Sequence, residues 1–146
     1  MLVYLSKGNN IIFKQVRVGK DKQLFTIYKF RTMNNNEVTL LGKYIRKLGF
    51  DELPQLINII RNEMNIVGPR PLTSNDIERL DWNNNQFIDR WSVKPGITGM
   101  AQLTSICDPN VSMKNDLFYV KNKCWKLDAK ILFKSVLVPF LGKRTK

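Results

Sequence analysis

The chain has 146 residues, 43% of them apolar and 25% charged, which is the balance of a folded protein long enough for one domain with its own core. Its 24 Lys and Arg against 12 Asp and Glu leave a formal charge of +12, which calls for an anionic partner. Histidine is absent, which excludes His triads, His metal sites and the usual neutral-pH general base, and no apolar run reaches the length of about 18 residues that a membrane-crossing helix needs.

Ile11–Val18 and Gln23–Phe30 read as two strands joined by a turn at Lys20-Asp21-Lys22, a β-hairpin. Asn34–Asn36 marks a second turn. Thr39–Leu48 has helical spacing of Leu40, Leu41, Tyr44, Ile45 and Leu48, with Gly49 as its stop. Asp51 can cap the next helix and Pro54 suits its first turn. That helix carries Leu53, Leu56, Ile57, Ile60 and Met64 as one apolar stripe, whose expected place is the core, and Gly68-Pro69-Arg70-Pro71 ends it. Asp76–Arg90 reads as a polar helix, weakened at Asn83–Asn85. Lys94–Gly99 reads as an irregular loop, and Asp116–Lys126 and Asp128–Leu141 as helices, the second ending near Pro139. No repeat or linker interrupts the chain. The expectation is one α+β domain over residues 1–146, an N-terminal hairpin packed with several helices. Some of those helices are amphipathic and can lie at a membrane interface.

The charge is unevenly placed. Residues 1–50 carry a net +8, residues 51–93 a net −3 and residues 94–146 a net +7. A nucleic-acid binder favours an unbroken basic surface, so the acidic middle argues against one. Phosphoryl transfer needs both signs: carboxylates to hold Mg²⁺ and cations to hold phosphates.

Asp51-Glu52 opens the acidic middle. One carboxylate can act as nucleophile or base while the other ligates a metal; the plainer reading is a helix cap with favourable dipole charge. Lys29 and Arg31, two apart at a strand end, share a face and suit a diphosphate, or else they are charges that guard a sheet edge. The prolines of Gly68-Pro69-Arg70-Pro71 fix φ on either side of Arg70, making a stiff mount for one guanidinium or a plain helix terminator. Gly96 and Gly99 allow backbone to approach a ligand, but their spacing is not that of a nucleotide-binding loop. Cys107 and Cys124 are too few for a disulfide scaffold or zinc site and read as structural, reduced thiols. Phe133, Leu137 and Phe140, with Lys130, Lys134, Lys143, Arg144 and Lys146, leave an interfacial reading of the last helix open.

Taken together these segments resemble the bacterial sugar transferases that act on polyprenyl phosphate, the monotopic phosphoglycosyl transferases. The matching stretches are Phe13–Gly19, Phe25–Met33, Val38–Leu72 and Val93–Gln102, with a weaker one at Asp116–Val136. The resemblance implies transfer of a sugar-1-phosphate from a nucleoside diphosphate sugar, mostly a UDP-sugar, to polyprenyl phosphate at the cytoplasmic face of the bacterial inner membrane. It implies that Asp51 is the nucleophile, and that Glu52, with Asp51, holds Mg²⁺. Lys29, Arg31, Arg46 and Arg70 are then the candidates for stabilising phosphate charge.

The family also carries a hydrophobic helix that enters the membrane and returns, before the strand that begins here at Ile11. Only ten residues precede Ile11, so the sequence reads as an N-terminally truncated member held peripherally. The alternative function is an impaired member that only binds nucleotide sugar or membrane. Where the family often shows Gly-Arg-Asn, this chain has Leu103-Thr104-Ser105.

Overall fold

The computed structural model describes residues 11–34, 37–104 and 108–137. Cys107, the turn at Asn35-Asn36, the helix end near Pro139, Phe140 and the cations Lys143, Arg144 and Lys146 lie outside them.

Strands β1 (Ile12–Val18) and β2 (Leu24–Phe30) form the expected antiparallel hairpin. Asp21 and Lys22 take positive φ in the connecting turn. The register pairs Phe13 with Lys29, Gln15 with Ile27 and Arg17 with Phe25, so these six share one face. A second, smaller hairpin follows, from β3 (Met33–Asn34) and β4 (Glu37–Val38). Helix α1 (Leu40–Leu48) is capped as its sequence requires. The Thr39 hydroxyl accepts from the Gly42 N–H at 3.0 Å, and Gly49 closes the helix in the left-handed region at φ 77°.

The next segment departs from expectation. Asp51 does not cap an α-helix. It lies inside a 3₁₀ turn, Phe50–Gln55, which runs into a short helix α2 (Leu56–Ile60). A 3₁₀ turn repeats every three residues, so side chains three apart line up in ridges. Phe50, Leu53 and Leu56 form an exposed apolar ridge; Asp51 and Pro54 are buried; Glu52 and Gln55 are buried on a third ridge. The stripe expected in the core is therefore mostly at the surface, with Ile57 and Ile60 exposed as well. Only Met64 is buried, and it follows the helix.

Two three-residue strands were also not expected. Strands β5 (Asn65–Val67) and β6 (Gly96–Thr98) pair in parallel, so Lys94–Gly99 is part ladder rather than loop. The polar helix expected over Asp76–Arg90 splits into α3 (Ser74–Arg79) and a 3₁₀ segment, Asn85–Ser92. Asp81 takes positive φ between them. Helix α4 (Pro109–Asn122) starts one turn or more earlier than its apolar pattern indicates, with Asp108 as N-cap and Pro109 behind it. Helix α5 (Trp125–Leu137) completes the described chain.

Two apolar clusters hold these elements together. Val18, Leu72, Ile77, Trp82, Trp91 and Met113 join the hairpin to α3, the 3₁₀ segment and α4. Val67, Tyr119 and Ile131 join β5 to α4 and α5. The Tyr119 hydroxyl, shared between the Val67 carbonyl (3.2 Å) and Asp128 (2.8 Å), ties the second cluster down. Burial, with the hydrogen bond to Asp128, pushes this phenol well above its ordinary range. The fold is α+β, and among the described residues no helix is long and apolar enough to cross a membrane.

Candidate functional site

A cleft lies between the odd-numbered face of the hairpin, the 3₁₀ turn, the Gly68–Leu72 segment and the loop after β6. It is a shallow, solvent-open cleft, and its walls include Arg17, Lys29, Glu52, Gln55, Arg70 and Gln102. Three of the residues expected from sequence therefore meet: Lys29, Glu52 and Arg70. Asp51, Arg31 and Arg46 are not among the lining residues.

Lys29 reaches the cleft from β2 and donates to Glu52 at 3.1 Å, as an ion pair whose two side chains are both largely buried. Glu52 is placed there by the 3₁₀ period, which stacks it with Gln55 on one ridge. Asp51, the preceding residue of the same turn, is 4% exposed. Arg46 projects from α1 and donates through Nε to the Thr32 hydroxyl at 2.7 Å. The Arg31 guanidinium lies over the Phe13 ring, 6.0 Å from its centre.

Arg70 rides on a backbone that is held at every step. The Pro69 carbonyl accepts from the Gly96 N–H at 2.9 Å, and the Arg70 carbonyl accepts from Arg90 at 2.7 Å. The Pro71 carbonyl accepts from Arg17 at 3.1 Å and the Leu72 carbonyl from the Val18 N–H at 2.8 Å. The Arg70 side chain itself is exposed at the cleft. The glycines of this region let backbone pack on backbone, and Gly96 also lines the cleft. A Cβ on Gly96 would meet the Gly68 nitrogen at 2.1 Å, and one on Gly99 would meet the Gly68 carbonyl oxygen at 2.1 Å.

Arg17 is the site residue that reading the strand alone misses. Its guanidinium bonds Gln15 at 2.6 Å and lies 3.8 Å from Asp76. Burial lowers its pKa below the ordinary arginine range; repulsion from Arg70 lowers it further and Asp76 opposes both. Two guanidiniums that repel each other beside one cleft, with Lys29 nearby, concentrate the positive charge that a multiply charged anion would need. The available signal was the hairpin register, which puts Arg17 and Lys29 on one face. Gln55 and Gln102 were likewise not expected at the cleft. Cys124, read as a structural thiol, is free and exposed.

Mg²⁺ characteristically takes one or two carboxylates and fills its shell with water and substrate phosphate oxygens. Asp51 and Glu52 supply two carboxylates of that kind, adjacent in sequence, of which Glu52 lines the cleft. Among the described residues no group of three or more acids or cysteines gathers to form an all-protein cage.

Residues 1–142 match the model of the bacterial sugar transferase family. The chain is 35% identical to the UDP-N-acetylgalactosamine-undecaprenyl-phosphate N-acetylgalactosaminephosphotransferase of Aeromonas hydrophila, over 97% of this chain and 38% of that protein. It is 39% identical to the sugar transferase EpsL of Bacillus subtilis, over 90% of this chain and 70% of the relative. It is 34% identical to the UDP-glucose:undecaprenyl-phosphate glucose-1-phosphate transferase of Klebsiella pneumoniae, over 94% of this chain and 34% of that protein. The chain thus spans little more than a third of the length of two of these relatives and about two thirds of the other.

Proposed function

The chain belongs to the bacterial sugar transferase family, and we propose on that footing that it transfers a sugar-1-phosphate from a UDP-sugar to polyprenyl phosphate. The reaction would take place at the cytoplasmic face of the bacterial membrane and begin the assembly of an exopolysaccharide, capsule or related glycan. The observation that carries this reading is the meeting of Arg17, Lys29 and Arg70 with Glu52 at one cleft, beside Asp51.

In this reading the donor's diphosphate lies against the three cations. A carboxylate oxygen of Asp51 attacks the sugar-bearing phosphorus. The bond from that phosphorus to the bridging oxygen breaks, and nucleoside monophosphate leaves with the electron pair. An oxygen of polyprenyl phosphate then attacks the same phosphorus, which frees Asp51 and yields the lipid diphosphate sugar. Asp51 and Glu52 would hold Mg²⁺, which when bound supplies positive charge to offset repulsion between carboxylate and diphosphate.

Access to a lipid acceptor is supported by the surface beside this turn. Leu40 and Tyr44 of α1, the Phe50–Leu53–Leu56 ridge and Ile60 of α2 are all exposed, with Leu40 and Ile60 each at 84%. Large apolar side chains this exposed suit a bilayer interface, which would account for them.

The experiment is turnover of a UDP-sugar with polyprenyl phosphate and Mg²⁺ in detergent, read as release of nucleoside monophosphate. Release by the wild type and loss in Asp51→Asn support the reading; equal release by both contradicts it.

A further inference from the structure

The Arg70 carbonyl is bonded by a buried charge that does not line the cleft. Arg90 is 3% exposed and Asp116 is 2% exposed, and they pair through Nε at 2.9 Å and Nη2 at 2.8 Å. The same Nη2 donates to the Arg70 carbonyl at 2.7 Å. The Arg90 guanidinium is packed against Trp91, 4.7 Å from the ring centre, and Trp82, at 5.8 Å. Its plane therefore has little freedom.

A buried ion pair is a poor way to gain stability, because desolvation cancels most of the attraction. Apolar side chains would fill this core at no greater cost. What an apolar pair cannot do is hold a backbone carbonyl. Pro69 and Pro71 fix φ on both sides of Arg70 and their carbonyls are taken by Gly96 and Arg17, which leaves the Arg70 peptide itself to be held. The Arg90 contact is the one that locks the Arg70 peptide itself.

We propose that Arg90, oriented by Asp116, is a positioning residue that sets the Arg70 guanidinium for the donor's diphosphate. The inference rests on the reading of Arg70 as a phosphate contact. Arg90 touches no substrate; it acts through one carbonyl. Lysine at this position keeps a cation for Asp116 but lacks the planar fork that serves two acceptors at once.

The test is a double-mutant cycle on the full chain, with UDP and Mg²⁺ as the probe and calorimetry as the readout. Arg90→Lys is expected to weaken UDP binding about tenfold when Arg70 is present, and less than about twofold in an Arg70→Ala background. Asp116→Asn is the second variant, and circular dichroism confirms that each is folded. Equal losses in both backgrounds, or no loss in folded Arg90→Lys and Asp116→Asn, would overturn the positioning role. If Arg70→Ala alone binds UDP as the wild type does, the reading of Arg70 itself falls, and this inference with it.

Discussion

The Lys29 ammonium sits 3.1 Å from the Glu52 carboxylate, so the cation and the acid expected to serve opposite ends of one reaction are already in contact. The pair neutralises two partly buried charges, and an incoming diphosphate would compete with Glu52 for Lys29. Lys29→Ala should therefore weaken UDP binding by about 1.5–3 kcal/mol, the range for hydrogen bonds to charged groups. Titration calorimetry would show it; an unchanged affinity would remove Lys29 from the phosphate site.

Arg17 should behave similarly but with a structural component. Its side chain links the Pro71 carbonyl and Gln15 as well as facing the cleft. Arg17→Lys is expected to keep the charge and lose the bidentate reach, raising KM for the donor more than it lowers kcat. A variant with unchanged KM would show that Arg17 only braces the loop.

The close approach of Gly68 and Gly99, just past the ends of β5 and β6, leaves no room for a side chain. Gly99→Ala would bring a methyl group to 2.1 Å of the Gly68 carbonyl oxygen, a backbone atom that cannot swing aside. The loss should exceed about 3 kcal/mol, above the usual range for point substitutions. Thermal unfolding measures it, and a Tm within a few degrees of the wild type would contradict the packing described.

The capping box at α3 has a pH signature. The Thr73 hydroxyl donates to Asp76, and this bond is the main cause holding the Asp76 carboxyl below its ordinary range. A carboxyl lowered on folding adds stability above its unfolded pKa of about 3.9, and that increment is lost as pH falls through the folded value. Thr73→Ala should cost about 1 kcal/mol near neutral pH and less in acid. Urea unfolding at pH 7 and pH 3 separates the two; an equal cost at both would show that the charge of Asp76 contributes nothing.

The apolar ridge should matter for lipid and not for nucleotide. Replacing Phe50, Leu53 and Leu56 together by serine is expected to abolish sedimentation with vesicles while leaving UDP affinity unchanged, since these side chains are half exposed. Undiminished vesicle binding would move the lipid-facing surface elsewhere.

What could be read from sequence was local. The hairpin and α1 with its Gly49 stop follow from alternation, 3.6-residue spacing and a residue of special geometry, whereas Gly68–Pro71 does not end a helix as expected: α2 stops at Ile60 and β5 lies between. The misread segments were decided by tertiary contacts. Leu53–Ile60 has helical spacing, yet the chain begins there as a 3₁₀ turn, and that change of period sends Glu52 and Gln55 to the cleft and the leucines outward. β5 and β6 have three residues each and lie about thirty apart, so neither has a periodic pattern to detect. Arg90 and Asp116 look like surface charges in sequence; only the fold buries them together. Of the expected site, Lys29, Glu52 and Arg70 converge, while Arg31 and Arg46 engage Phe13 and Thr32 and do not line the cleft.

The most direct measurement is the mass of the protein after mixing with a UDP-sugar and Mg²⁺ in the absence of acceptor. The expected result is an adduct of one sugar phosphate, mapped to Asp51, absent from Asp51→Asn and discharged when polyprenyl phosphate is added. Nucleoside monophosphate release with no adduct at Asp51, or an undiminished adduct in Asp51→Asn, would contradict a role for Asp51 as the nucleophile.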